Sequence, residues 1–461
     1  MALLGFHAVF SLVLLYLFNK FKGKLSFVQY MIGDGLHRFL PPTLEELKKI
    51  NDTSFAKSYK GKSNNKKNKN QPITTDFKVP KDVEYDLIQY PVTLKHMADL
   101  NYYPSLYWLI DFTFFTIFVF ICSETFCFIF PGNKDINISL IWLFLTLFFA
   151  LQCLLVMTWS LFSDDKLAEE KNFILSSLAV FFVGCMILTM FGERFLDINL
   201  NQAYTHLTDI MNKFLEAQNV FEIQKLEKRS PLIIYLTFSF MFAIIGSCLV
   251  FPSFRYASMY NKALKTATIP VKVLLHTTFM LPILILTLFT TPVKSFLTNE
   301  NNKYVLTEHQ FELFRMSLIV IWSILRISLR KLHLQAYLNL GLENAVALKK
   351  SNGNISASSL VLMIQQYFLY FCVVCLQYLI PVILTICVTL LYKNLGDICL
   401  FSETCPGSES VSTSIEQNTG FSLILQSSVQ IILWRYCLFM VIFTNVSFSI
   451  LGIISKVYFE N

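Results

Sequence analysis

The sequence predicts an all-α polytopic membrane protein: a bundle of about nine transmembrane helices with amphipathic interfacial helices beside it. Three observations carry this. Hydrophobic residues make up 54% of the 461 residues and charged residues only 15%, where a soluble chain carries roughly 25% charged. Apolar runs long enough to cross a hydrocarbon core of about 30 Å recur from end to end. The net charge of +7 is concentrated: residues 20–103 hold 15 basic and 9 acidic side chains, so +6 of it belongs to one face of the membrane.

The apolar runs fall near residues 2–18, 104–130, 136–162, 172–192, 231–252, 271–293, 311–330, 359–392 and 421–454. This divides the chain into a first transmembrane helix (1–19), a basic cytoplasmic segment (20–103) and the main transmembrane bundle (104–461). The first run has no Lys or Arg before Lys20 and no small-x-small site after it, which fits a retained helix better than a cleaved signal. The basic segment should stay in the cytoplasm by the positive-inside rule. The N-terminus then lies outside or in a lumen and the C-terminus in the cytoplasm, in the plasma membrane or the endoplasmic reticulum. The loops with Lys166 and Lys171, with Arg255, Lys262 and Lys265, and with Lys331, Lys349 and Lys350 also fall inside. The acidic stretch 393–420 falls outside, as does 193–230, where five basic residues are balanced by six acids.

Within the basic segment, Lys57, Lys60, Lys62, Lys66, Lys67 and Lys69 lie among Asn, Ser and Gly with no acid. This stretch offers nothing to bury and is expected to be disordered. It reads as a solvated linker, with contact to anionic lipid as the functional alternative. Leu196, Leu200, Leu207, Ile210, Met211 and Phe214 share one helical face, as do Leu334, Leu338, Ala345 and Leu348; both sets predict amphipathic helices at the interface. Pro282 and Pro381 predict kinks that free backbone carbonyls.

Ionisable residues inside apolar runs are the most informative feature, because a charge at bilayer depth costs at least about 2.5 kcal/mol and is usually paired or faces water. Asp111 and Glu124 are 13 residues apart, about 220° around a helix, so they face different sides. Arg315, Arg326 and Arg330 are spaced by eleven and four, within about 60° of one another, and form a basic stripe for which Asp111, Glu124 or Glu193 are candidate partners. The spacing excludes a voltage sensor, which repeats cations every third residue. Asp111, Glu124, Arg255, His276, Arg315, Arg326 and His333 form a candidate intramembrane polar network, and pairing of Arg326 with an acid of the second run is expected.

Other chemistry has little support. There is no phosphate-cradling glycine loop, no His-Glu-x-x-His and no Gly-x-Ser-x-Gly, so no enzyme, cofactor or metal is expected. Cys372-x-x-Cys375 stands within an apolar run with no second pair. Cys399 and Cys405 are the candidates for a disulfide in an outer loop. The sequons at Asn51, Asn137, Asn354 and Asn445 are expected to carry little or no glycan, since each lies in the cytoplasm, against the membrane or inside it.

Several motifs together resemble the transmembrane protein 161 family: Trp108-Leu-Ile-Asp111-Phe-Thr with Glu124, Asn137-Ile-Ser-Leu-Ile-Trp142, Phe251-Pro252 with Arg255, Leu325-Arg326 leading to His333-Leu-Gln-Ala-Tyr-Leu-Asn-Leu340, and Leu376-Gln-Tyr378 with Pro381. The resemblance implies a non-enzymatic multi-pass protein that regulates ion currents and membrane excitability, through restraint of potassium and calcium currents and maintenance of heart rhythm. It also implies that Asp111, Glu124, Arg255, His276, Arg326 and His333 matter, and that ion channels are partners. The alternative is an ion channel or transporter whose polar pathway is lined by Asp111, Glu124 and Arg326.

Overall fold

A computed structural model of the chain describes residues 6–22, 27–33, 35–43, 45–49, 78–79, 87–130, 139–163, 168–217, 231–298, 306–350, 355–399 and 427–459. Every predicted apolar run carries helix. In chain order these are α1 (Phe6–Lys22), then, after a short α2 (Leu94–Met97), α3 (Tyr103–Ile129), α4 (Ser139–Ser163) and α5 (Ala168–Phe191). There follow α6 (Leu200–Ala217), α7 (Leu232–Thr266), α8 (Ile269–Thr287), α9 (Thr291–Thr298) and α10 (Glu308–Ser328). The remainder are α11 (Arg330–Leu338), α12 (Leu340–Lys350), α13 (Ala357–Leu369), α14 (Phe371–Leu395) and α15 (Ser427–Phe459).

Among the described residues, seven stretches are long and apolar enough to cross a membrane: α3, α4, α5, α7, α8, α13 with α14, and α15. The other two predicted crossings differ for physical reasons. α1 is described over 17 residues, the lower end of what a perpendicular helix needs. α10 carries Glu308, Glu312, Arg315 and Arg326 within 21 residues, so its apolar character is interrupted. Its start is fixed by a capping box, in which the Thr307 hydroxyl accepts from the Gln310 N–H and the Gln310 side chain accepts from the Thr307 N–H.

α14 is the central helix. It is apolar around its whole circumference, which is the signature of a helix surrounded by others, and it buries residues from Phe371 to Tyr392 against α4, α7, α10 and α15. α7 packs on α5 and α15, and glycines let those axes approach. A Cβ on Gly452 of α15 would lie 2.9 Å from the Ala257 Cβ and 3.2 Å from the Phe254 Cα.

The apolar run near 231–252 ends at Pro252, yet α7 continues through it to Thr266. Burial of Tyr256, Ala257, Tyr260 and Ala263 in the bundle outweighs the backbone bond that Pro252 removes. The two amphipathic predictions fall on α6 and on α11 with α12. α11 is not interfacial: His333, Leu334, Tyr337 and Leu338 are buried, with Leu334, Tyr337 and Leu338 in the main core and the helix packed on α7.

Part of the basic segment forms strands that an all-helical reading does not anticipate. β1 (His37–Leu40) pairs antiparallel with β3 (Ile88–Pro91), His37 opposite Pro91, and β2 (Lys78–Val79) pairs with β4 (Ile355–Ser356). Gln335 of α11 bonds both the N–H and the carbonyl of His37, at 2.9 and 3.1 Å, which fastens this small sheet to the bundle. The lysines from Lys57 to Lys69, and Asn51, Asn137 and Asn354, lie outside the described residues. Asn445 is buried in α15, its amide donating to the Val441 carbonyl.

Candidate functional site

Buried charge gathers at the end of the bundle where α10 and α15 begin and α14 ends. Glu312 and Arg315, three residues apart on α10, form an ion pair there. Arg435 of α15 reaches Glu312 at 3.0 Å and Asp197 at 3.1 Å. Asp197, in the turn between α5 and α6, also lies 3.6 Å from Arg315 and 3.1 Å from Lys294 of α9, which stands 3.7 Å from the exposed Glu308. The Tyr392 hydroxyl of α14 donates to Glu312 at 2.6 Å and accepts from Arg315 at 3.1 Å and Arg435 at 3.3 Å. Phe289 covers the outer face of Arg315, its ring 4.3 Å from the guanidinium carbon. Glu312 and Asp197 thus balance Arg315 and Arg435 in the interior, with Lys294 and the exposed Glu308 at the rim. At low dielectric that is the arrangement in which buried charge is tolerable.

The turn that presents Asp197 is held by backbone pairing, because its N–H donates to the Phe289 carbonyl at 2.8 Å and Thr291 donates to Phe195 at 2.9 Å. The cluster therefore ties the α5–α6 turn, α9, α10, α14 and α15 into one unit.

Of the seven residues expected to form one network, only Arg315 belongs to this cluster. Glu124 instead pairs with Lys393, at the end of α14. Asp111 is buried on α3 beside the Tyr103 and Tyr107 hydroxyls. Arg326 does not pair with an acid among the described residues. Its guanidinium carbon sits 4.0 Å over the Tyr256 ring, with the Trp322 and Tyr378 rings at 5.5 and 5.6 Å. The expected pairing of Arg326 with the second run is thereby corrected: the aromatic faces of α7, α10 and α14 hold the cation, through ring quadrupoles rather than a carboxylate.

The basic stripe is also divided. α10 ends at Ser328 and a new helix starts at Arg330, whose guanidinium donates to the Met31 and Tyr30 carbonyls at 2.7 and 3.1 Å. His333, on α11 and outside the long apolar helices, is fully buried against the Tyr256 and Tyr378 rings. Its Nδ1 lies 3.0 Å from the Leu329 carbonyl, which assigns the proton to that nitrogen. Burial, reinforced by the Arg326 charge, pushes its pKa down to about 3. His276 of α8 meets the Tyr260 hydroxyl at 2.7 Å. Arg255 of α7 lies by the Tyr337 ring at 5.8 Å.

Sequence reasoning missed Glu312, Asp197, Lys294 and Lys393 as members of ion pairs, and Tyr392 as the hydroxyl that hydrogen-bonds to Glu312, Arg315 and Arg435. Glu312 carried a usable signal, an acid three residues before Arg315 on one helix face. The others are brought in from distant parts of the chain. Cys399 is disulfide-bonded; Cys405 lies outside the described residues.

A family model described as predicted transmembrane protein 161AB matches residues 2–427. The chain belongs to the transmembrane protein 161AB family. The match covers all the helices up to the start of α15, and with seven long apolar helices it makes the chain an integral multi-pass membrane protein. No solved structure matches it.

Proposed function

We propose that this protein is a non-enzymatic regulator of ion currents carried by other membrane proteins, and so of membrane excitability. Potassium and calcium currents and heart rhythm are the settings that the family resemblance implies. The observation that carries this reading is the neutrality of the buried cluster. Glu312, Asp197, Arg315 and Arg435 are committed to one another and to Tyr392, as Glu124 is to Lys393. Charges used in this way brace helices, whereas a conducting path keeps its charges available to the ion. In this reading α1 and α10 also cross the bilayer, which makes nine crossings with the N-terminus outside or lumenal and the C-terminus in the cytoplasm. The membrane is that of the cell surface or the endoplasmic reticulum, and channels are the partners.

The test is flux of K⁺, Ca²⁺ and H⁺ across liposomes holding only the purified protein, compared with Asp111→Asn and Arg326→Gln. Silence from folded protein, together with altered currents when it is co-expressed with a channel, is the expected result. Flux abolished by either substitution would replace the regulator with a channel or transporter whose route includes those residues.

A further inference from the structure

The geometry points to a binding site for the phosphate of an anionic phospholipid, in the pocket around Arg255 at the end of the bundle opposite the ion cluster. α7 is 35 residues long, or roughly 52 Å at 1.5 Å per residue, far more than the hydrocarbon core of about 30 Å. Its uninterrupted apolar stretch is Leu232–Phe251. Arg255 stands one turn beyond, at the depth of lipid headgroups, and Lys262 and Lys265 follow farther out.

There Arg255 lines a cavity of about 420 Å³ with Ser258, Tyr337, Gln366, Tyr367 and Tyr370, while Phe251 and Phe254 continue its wall toward the apolar part of α7. Among the described residues Arg255 has no acidic partner, and Glu343 of α12 is taken by Lys262. Lys456, in the last turn of α15, extends to the Ser258 hydroxyl at 2.5 Å and sets a second cation at the rim. The Tyr367 hydroxyl already accepts a bond from Asn344, so its own proton is available to a ligand.

A planar guanidinium donates two parallel bonds to phosphate oxygens, and tyrosines belong at the level where one end is apolar and the other wet. Arg255, which has no acidic partner among the described residues, and Lys456 at the rim favour a headgroup with net negative charge over a zwitterionic one. The volume admits a headgroup larger than bare phosphate. The site is assigned to Arg255 and not to the lysines of 57–69, and it does not depend on whether the protein conducts or regulates.

The experiment uses the full chain purified in a neutral detergent. Melting temperature and retained lipid, the latter by native mass spectrometry, are measured with phosphatidylcholine, phosphatidylserine or a phosphoinositide, and with inorganic phosphate. The expected result is retention and a raised melting temperature with anionic lipid alone, with affinity lowered at least tenfold in Arg255→Gln and lowered also in Lys456→Gln. A variant with Lys57, Lys60, Lys62, Lys66, Lys67 and Lys69 all changed to Gln should retain the lipid. Equal retention of phosphatidylcholine, or unchanged binding in both Arg255→Gln and Lys456→Gln, would overturn the proposal. So would loss of binding in the six-lysine variant. Stabilisation by inorganic phosphate as strong as by lipid would make the ligand a soluble phosphate and overturn the lipid assignment. Should Arg255→Gln fail to fold, Lys456→Gln and Gln366→Leu carry the same comparison.

Discussion

Glu312 and Arg326 are both buried on α10, yet their removal should have opposite consequences. Glu312→Gln leaves Arg315 and Arg435 facing each other with only Asp197 between them, and should cost about 3–5 kcal/mol. Arg326→Met removes a charge that strands no carboxylate, exchanging cation–π contacts of about 0.5–2 kcal/mol for relief of a buried cation. Unfolding in mixed detergent should show Glu312→Gln strongly destabilised and Arg326→Met unchanged or stabilised; the reverse order would refute the charge assignments. His333 supplies a pH dependence. Its folded pKa is depressed to about 3 from an ordinary 6.5, so the neutral form stabilises fully above about pH 6.5. As pH falls from there toward 3, the unfolded chain binds a proton that the folded one refuses, and stability drops by about 1.4 kcal/mol per pH unit. His333→Gln, which keeps a donor for Leu329, should flatten that slope. At this scale the sequence revealed which residues were unusual but not their partners, because Asp197, Arg315 and Arg435 meet only through folding.

At the scale of elements, the prolines were legible and their compensation was not. Pro282 removes the bond that the Thr278 carbonyl of α8 would receive four residues on. That carbonyl instead accepts from the Trp322 indole of α10 at 3.1 Å, so the missing backbone bond becomes a contact between helices. Trp322→Phe should therefore cost about 1–3 kcal/mol through a stranded acceptor. The loss should shrink in the Pro282→Ala background, where residue 282 regains an N–H for Thr278. A double-mutant cycle by thermal unfolding measures this, and simple additivity would show that the indole bond does not matter. The end of α10 follows the same logic. The Tyr378 hydroxyl donates to the Arg326 carbonyl at 2.5 Å, satisfying one of the acceptors that a helix terminus leaves open, and Tyr378 lies on a helix that the apolar pattern identified without showing its neighbours.

For the whole molecule, hydropathy marked where helices are but not which of them is central. α5 and α14 are both strongly apolar, yet α14 is enclosed while α5 turns Val180, Val183 and Ile187 outward. In water those exposed side chains would mark a defect or an interface; in a bilayer they are the lipid face. A carbene-generating hydrophobic probe in the membrane should label Val180 and Ile187 of α5 and spare Tyr378 and Ile380 of α14. Strong labelling of α14 would show that the bundle is arranged differently. The strands of the basic segment were illegible for a related reason: β1 and β3 are short pieces about fifty residues apart, and their pairing is supported by α11 rather than by any local alternation.

The ion cluster also has an order in time. Asp197, Lys294, Glu312 and Arg315 are all synthesised before Arg435, which lies 3.1 Å from Asp197 and 3.0 Å from Glu312. Until α15 is inserted, those two carboxylates lack the cation that bridges them. Insertion of α15 therefore closes the cluster. A chain stopped after residue 426 should be retained and degraded in pulse–chase experiments, and supplying residues 427–461 as a separate polypeptide should rescue it unless Arg435 is replaced by Gln.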